Sequence, residues 1–593
     1  MRGTFLGLEI GRTGLTTAQF GLDVTGHNIS NLDTEGYTRQ RIVQTAYDPF
    51  STIGKFAPVG QGLVGGGTRV KILDQIRSAF LDRRFRDEVS THAYWETRTQ
   101  SLSYVESFFD NVNEKTSINY SIAQFFGSMT EVAKDPVSGA PRTLMQTTAM
   151  DFVQQLNMIY EGLIDLQKVE NRAIETKVNL INDMAEDLRD LNVAIYTFEL
   201  TGMIANDLRD KRNLLLDELA KIADIEYKEY PDQFGHSMME VKLAGSILVD
   251  HDRVNELTIA WEQNVLGPDE EPVAIPIWKS WTPDDYDPHN PEKNVLSEST
   301  ISAARFDKFL KSGELKAHID MRDGFGGTVN NVDKGIPYYI DMVNNLARSM
   351  MMEINGQHIQ GWSDHPDGSK TGILFFEVQG LTYPDGTEID FNDFVVFYDD
   401  STPPVPMDKT AAGFDPADAA FKRFEVPDDV LYLVTAKNLT LSKEVEASAY
   451  NIAASSVEIG RPTNAGTSGD PEQLQRGNNE NIKDMYELFR KTGITIFGDT
   501  RITKDIGSFD EFGTTIRFDV GTTLNSAKQL GETSRILLLA ADNQRTAVAG
   551  VSLDEEMVGL VKFNHAYNGA ARVITQMDDA LDRLINGTGR VGL

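Results

Sequence analysis

LVKFNHAYNGAARVITQMDDALDRL, residues 560–584, carries Leu560, Phe563, Tyr567, Ala570, Ile574, Met577, Leu581 and Leu584 in alternating steps of three and four. That period keeps one seam of a helix turned toward a partner helix, as in a coiled coil. The opposite end of the chain repeats it: Leu8, Gly11, Leu15, Ala18, Leu22, Thr25 and Ile29 follow the same steps. A globular enzyme has little reason to end in two such strips. A subunit that locks its ends together, or onto neighbouring subunits, does.

Between these ends lie enough residues, in a chain of 593, for roughly three or four domains of about 150 residues each. Hydrophobic content of 40% and charged content of 24% fit a folded protein. The net charge of −33 disfavours nucleic acid as a partner, because phosphate binding needs a basic patch. Residues 1–90 are nearly balanced, so the acidity lies downstream, much of it in Glu262–Glu292 and Glu377–Asp429. Such runs read as solvated outer surface. Cysteine is absent, which excludes disulfides, thiolate metal sites and cysteine nucleophiles together, and suits a chain that crosses a membrane unfolded. Met1–Phe20 lacks the apolar core of a signal peptide, since Glu9 and Arg12 interrupt it. No apolar run approaches the roughly 18 residues of a membrane span. The reading is a soluble chain without membrane insertion.

Texture divides the middle. Gly3–Ile29 reads as a helix weakened by glycine and threonine, in need of a partner to become ordered. From Arg41 to Ile72 the chain is punctuated by Gly and Pro and reads as loops and β-hairpins, Thr68–Ile72 among them. Helical patterning dominates from about Asp74 to Asp224, with stripes at Leu156, Ile159, Leu163, Leu166 and at Ile174, Val178, Ile181, Ala185, Leu188, Ile195. From about Tyr227 to Thr440, Val241–Val249, Val395–Tyr398 and Val430–Val434 read as strands, with one helical island at Tyr338–Ile354. Helix returns at Asn481–Arg490 and from about Phe509 onward. The expected fold class is α+β and multidomain, a long helical coiled-coil or bundle of the N- and C-terminal regions with β-rich insertion in the middle. The expected units are 1–75 with 525–593, 76–226 with 441–524, and an outer insert 227–440.

Catalytic signals are thin. Gly60-x-Gly62-x-x-Gly65 has the dinucleotide spacing, yet a β-like run follows it where a helix N-terminus is needed. His358 and His365 lack the spacing of a zinc protease. Gly466–Asp470 and Gly235–Met238 are loop-like serine contexts without an evident base. Asp385–Asp393 lacks EF-hand spacing, and an Asp-Gly turn explains Asp385-Gly386. No catalytic, cofactor-binding or metal residue is expected, and no cofactor. A secreted hydrolase using carboxylates of the acidic insert is the remote alternative.

Asn28–Gln40, NISNLDTEGYTRQ, resembles the segment after the N-terminal helix in bacterial flagellar axial proteins, the rod, hook and hook-associated family, whose general form is N-x-A-N-x-x-T-x-G-Y/F. Asn28, Asn31, Thr34, Gly36 and Tyr37 match; Ser30 replaces Ala and Glu35 stands where Pro is frequent. Arg39-Gln40 is closer to hook-associated members than to rod or hook proteins. Val551–Met557 (VSLDEEM), Leu560, Phe563, Ala566-Tyr567 and Ala570–Ile574 look like the closing helix of those members, departing at Asn564-His565 and Asn568-Gly569. Asp74–Arg86, Asn206–Leu219 and Gly313–Asp323 fit as well, in the family's order.

The resemblance implies a structural subunit at the junction between hook and filament, exported unfolded by the flagellar type III apparatus and added at the hook tip. It implies terminal helices lining an inner tube and inserted domains facing outward. The implied partners are other copies in a ring or helical tube, the hook protein, the next hook-associated junction protein, and a cytoplasmic export chaperone on the C-terminal helix. The implied place is the bacterial flagellum, outside the cell or in the periplasm. The assembly surface expected from stripes and motif together is Leu8, Leu15, Leu22, Ile29, Asn28, Asn31, Gly36, Tyr37, Leu560, Phe563, Tyr567, Ile574, Met577 and Leu581. A hook or distal-rod subunit is the alternative within the family, and the long helical block Asp74–Asp224 argues against it.

Overall fold

Sixty-one residues without an interior break, Gly139–Glu199, form the spine of the molecule. The computed structural model describes residues 5–47, 65–109, 117–264, 266, 270–284, 286–290, 296–326, 334–383, 386–401, 404–411, 413–459, 477–491 and 507–587. Gly60, Gly62, Asp385 and Gly466–Asp470, weighed above as candidate chemistry, lie outside them. In chain order the first elements are helix α1 (Leu6–Ser30), strands β1 (Gln40–Ala46) and β2 (Thr68–Gln75), and helices α2 (Ala79–Phe109), α3 (Ile118–Lys134), α4 (the spine) and α5 (Asn206–Ile222). Gly65 leads into β2 and not into a helix, so the dinucleotide fingerprint has no helix N-terminus to hold a pyrophosphate.

At 1.5 Å per residue α4 runs about 90 Å, and its two halves serve two cores. Met145, Phe152, Leu156, Leu163 and Ile164 pack with α3, the helix Ile336–His358 and Ile516, Val520 and Leu524 of the penultimate helix Phe509–Ala549. Phe125 sits at the centre of this core, its ring 5.6 Å from Phe375 and 5.8 Å from Phe376. Farther along, Ile174, Val178, Ile181, Ala185 and Leu188 pack with α5 and the sheets that follow it. The apolar stripes of the sequence are these two buried faces.

Those sheets are small and antiparallel. Strands β3 (Ile225–Pro231), β4 (Ser237–Leu243), β5 (Ser246–Asp250) and β6 (Arg253–Val254) form one meander; β7 (Leu257–Glu262) pairs with β8 (Val273–Trp278). Val241–Val249 is therefore not one strand. The chain reverses at Ala244 and Gly245, both with positive φ, which splits the run between β4 and β5. Val395–Tyr398 is a strand, paired with Phe421–Phe424. Val430–Val434 is not a strand: Asp428–Leu431 forms a helical turn behind Pro427. Proline preceding two acids favours a helix start there, and Val430 and Leu431 still reach the core. The middle also holds helices Glu298–Ala304 and Glu314–Asp323, so it is less purely β than its composition suggests.

The penultimate helix runs antiparallel along α2. His92 Nδ1 lies 3.3 Å from Ser534 Oγ, Arg84 donates to Gln544 at 3.0 Å, and the Arg545 guanidinium stands 3.5 Å over the Phe85 ring. Gly550 ends it, and the last helix, Leu553–Gly587, turns back along α1.

Candidate assembly site

The α1 face turned toward the last helix is made of its smallest residues. A side chain added at Gly7 meets Met577, at Gly11 Ile574, at Gly14 Ala570 and at Gly21 Phe563; Gly559 faces Thr25. The pairing is antiparallel. A Cβ at Gly11 would come within 2.7 Å of Ile574 Cγ1, and one at Gly21 within 2.5 Å of the Phe563 ring. Glycine is thus required on α1 for the large residues of the last helix to seat.

Leu560, Phe563, Tyr567, Ile574 and Leu581 of the last helix are half-buried, and Met577 is at the edge of exposure. On α1, Leu8, Leu15, Leu22 and Ile29 are also half-buried, whereas Gly11, Ala18, Gly21, Thr25 and Asn28 are fully buried. The seam therefore runs through Gly7, Gly11, Gly14, Ala18, Gly21, Thr25 and Asn28, and the leucines flank it. The signal for it is in the sequence, because those positions also step by four and three; large apolar residues simply outweigh them. Beyond the seam the last helix leaves Val558 69%, Val561 50% and Ile585 65% exposed.

At the base of this pair, four of the family-like segments converge, Asn28–Gln40, Asp74–Arg86, Asn206–Leu219 and the run from Val551, whereas Gly313–Asp323 packs on α2 and α4. The Asn28 amide satisfies all four of its hydrogen-bonding positions: Nδ2 donates to Gln40 O at 2.8 Å and Glu556 Oε2 at 3.1 Å, and Oδ1 accepts from Tyr37 OH at 2.8 Å and Gln40 N at 3.1 Å. Asn31 braces the turn, donating to His27 O at 3.0 Å and accepting from Thr34 Oγ1 at 3.2 Å. Gly36 has φ +76 and packs on Leu214 of α5, so both conformation and contact exclude a larger residue. Arg39 donates to Glu556 Oε1 at 2.7 Å and to Glu555, while its backbone N–H donates to Ala549 O at 2.9 Å.

Helix α5 supplies the other wall. Asp210 accepts from the Thr38 N–H at 3.0 Å and from Gln75 Nε2 at 3.0 Å, and Asp207 accepts from Gln40 Nε2 at 3.1 Å. Arg77 pairs with Asp82 at 2.7 Å. Asp217 holds Arg86 and Arg545, each at 2.6 Å, and so ties α2, α5 and the penultimate helix. Burial, together with the charges of Asp207, Asp210 and Glu556, pushes the Tyr37 phenol upward in pKa and keeps it a donor. Burial also raises the Asp210 carboxyl, against the hydrogen bonds from Thr38. Partial burial works against the Arg39 charge but is outweighed by Glu555 and Glu556, which raise its pKa. Beside this network opens a cleft of about 300 Å3 lined by Tyr37, Arg77, Asp82, Leu214 and Arg545. The arrangement can fix the angle between the terminal pair and the body; it offers no nucleophile beside a base.

Glu556 lies within the family-like run Val551–Met557, yet nothing local singles it out, because Asp554-Glu555-Glu556 looks like the ordinary acidic first turn of a helix. The histidines weighed as metal ligands are otherwise engaged. His358 is fully buried, with Nδ1 2.7 Å from Ile373 O and Nε2 accepting from Ala453 N at 2.8 Å; burial lowers its pKa to about 4. Among the described residues no group of three or more His, Asp or Glu is placed to hold a metal ion. No helix among them is long and apolar enough to cross a membrane.

Comparison with known proteins gives consistent matches in chain order. A family model described as the flagellar hook-associated protein FlgK helical domain matches residues 102–376. The flagellar basal body rod FlgEFG protein C-terminal model matches 544–587, and the flagella basal body rod protein model matches 8–38. The flagellar hook-associated protein 1 of Bacillus subtilis (strain 168) is 26% identical over 594 residues, covering 99% of each chain. That of Salmonella typhimurium is 22% identical, covering 97% of this chain and 98% of the relative. The solved structure of the flagellar hook junction protein FlgK from Burkholderia pseudomallei has the same fold, with a TM-score of 0.51 at 14% identity, covering 80% of this chain and 100% of that one.

Proposed function

Because the chain belongs to the FlgK family of flagellar hook-associated proteins, we propose that it builds the hook–filament junction by packing its terminal helix pair against the pairs of neighbouring copies. Its relatives are structural components of the flagellum, and a structural role there follows for this chain. The observation that carries the finer reading is the last helix. Over Leu553–Gly587 its one fully buried residue among those described is Glu556, while Val558, Val561 and Ile585 face outward. A helix of 35 residues that buries one stripe and exposes further apolar side chains is stabilised by neighbours that cover them. Each large side chain so covered contributes about 1.5–3 kcal/mol when burial is complete.

In this reading Leu8, Leu15, Leu22 and Ile29 meet an adjacent copy, whereas Phe563, Ile574 and Met577 seat within the chain. The Asn28, Asn31, Gly36, Tyr37 cluster holds the pair on the body. The unit of 1–75 with 525–593 forms the inner tube, 76–226 with 441–524 surrounds it, and 227–440 faces outward. Export in the unfolded state, a chaperone on the C-terminal helix, and contacts with the hook protein and the next hook-associated protein complete the proposal. The test is deletion of Asp554–Leu593. The body keeps its thermal transition, and addition to hook tips is lost. Truncated chains that still cap hooks and support filaments contradict the reading.

A further inference from the structure

The seam between α1 and the last helix poses a problem of register. Its α1 side is largely a row of glycines with one alanine, which offers large residues no fixed notch. Slide the last helix by one heptad and Gly14 meets Phe563 or Met577 in place of Ala570, a large apolar group on a glycine such as Gly21 and Gly7 already carry in the observed register. Apolar contact alone therefore separates neighbouring registers poorly.

One contact in the seam does not tolerate the slide. Glu556 is 4% exposed. Its two oxygens are taken by Asn28 Nδ2 at 3.1 Å and Arg39 Nε at 2.7 Å. A slide in one direction takes Glu556 away from both Asn28 and Arg39 to the level of Gly21, which has no side chain to donate. A slide in the other brings Phe563 against Asn28 and strands the amide. Leaving either group buried and unpartnered costs far more than the pair gains over apolar substitutes. We propose that the Asn28–Glu556–Arg39 contact is the register pin of the terminal helix pair: it selects one antiparallel alignment out of several that the glycine face would accept. Asn28 and Glu556 thereby act as positioning residues for whatever surface the pair presents. A single polar contact in an apolar seam fixes alignment in coiled coils by the same logic. The inference rests on the geometry of the seam and stands apart from where the protein assembles.

The chain has no cysteine, so introduced pairs report alignment directly in the full-length protein. A Cβ at Gly14 lies 3.5 Å from Ala570 Cβ, within reach of a disulfide. Gly14→Cys with Ala570→Cys reads the native register; Gly14→Cys with Phe563→Cys or with Met577→Cys reads the two slides. With Asn28 and Glu556 intact, the native pair oxidises in at least about tenfold excess over either slid pair, the ratio expected from one charged hydrogen bond. With Asn28→Leu and Glu556→Leu together, the slid pairs rise to within a few-fold of the native one. Should the double leucine variant lose the helix pair altogether, shown by no cross-link at any position, Glu556→Gln decides. It keeps the shape and surrenders the charge, and selectivity falls several-fold. Undiminished preference for Ala570 in whichever variant stays paired overturns the proposal, as does failure of the native pair to cross-link in the otherwise unaltered chain.

Discussion

The body and the terminal pair solve the problem of stability in opposite ways. Along α4 and the helices packed on it, side chains such as Phe125, Phe152 and Leu163 are wholly enclosed by the chain's own segments. Along the last helix nothing apolar is fully enclosed among the described residues, and the buried group is a carboxylate. The body encloses its core within a single chain; the last helix, among its described residues, encloses no apolar side chain completely.

Deletion probes this contrast with the largest expected effect. Removing Asp554–Leu593 abolishes hook-tip addition and leaves the body's melting transition in place, checked by calorimetry beside a tip-addition assay. Next comes Phe125→Ala. It empties a site ringed by aromatics and lowers body stability by about 3–5 kcal/mol, while at temperatures where the body stays folded the addition assay is unmoved. A substitution that loses both together breaks the separation of body and pair.

Acid acts on the body through His358. Its ordinary pKa of 6.5 falls to about 4 in the folded, buried state, so between those values the unfolded chain binds more protons. The stability it contributes is full above pH 6.5 and is lost as pH falls through 4, on the order of 3 kcal/mol in all. His358→Gln flattens that part of the stability–pH curve, as measured by urea unfolding at a series of pH values. The smallest effect compares two glycines on α1. Gly26 has no atom within 4 Å of an added Cβ, so Gly26→Ala gains about 0.5–1 kcal/mol of helix stability. Gly21→Ala meets the Phe563 ring and loses that gain. Hydrogen exchange of the α1 amides distinguishes them, and equal protection in both variants contradicts the close approach.

How much of this is legible in the sequence differs from element to element. The stripe from Leu156 to Leu166 and that from Ile174 to Ile195 are readable as buried faces, because a helix period repeated over many turns rarely arises without burial behind it. The stripe on the last helix is readable by the same period, although its side chains are at most half-buried. Its partner on α1 is misjudged by about one position, since a reading weighted by hydrophobicity follows leucine, and the seam is glycine chosen for the absence of a side chain. Val430–Val434 looks like a strand because short apolar runs carry no period; Pro427 and the two acids after it decide for a helical turn. The polar network around Asn28 is visible only as a motif. What the motif holds, Asp210 of α5 and Glu556 of the last helix, is contributed by residues 172 and 528 positions away from their partners, a distance that no local pattern spans.

Whether the terminal pair is completed by its neighbours can be seen by cryo-electron microscopy of an intact hook–filament junction containing this subunit, at a resolution that shows side chains on the terminal helices. Leu15, Leu22, Val558 and Val561 are expected to lie against the helices of adjacent copies. Density showing these four in water, with no neighbouring chain in contact, would contradict assembly through the pair.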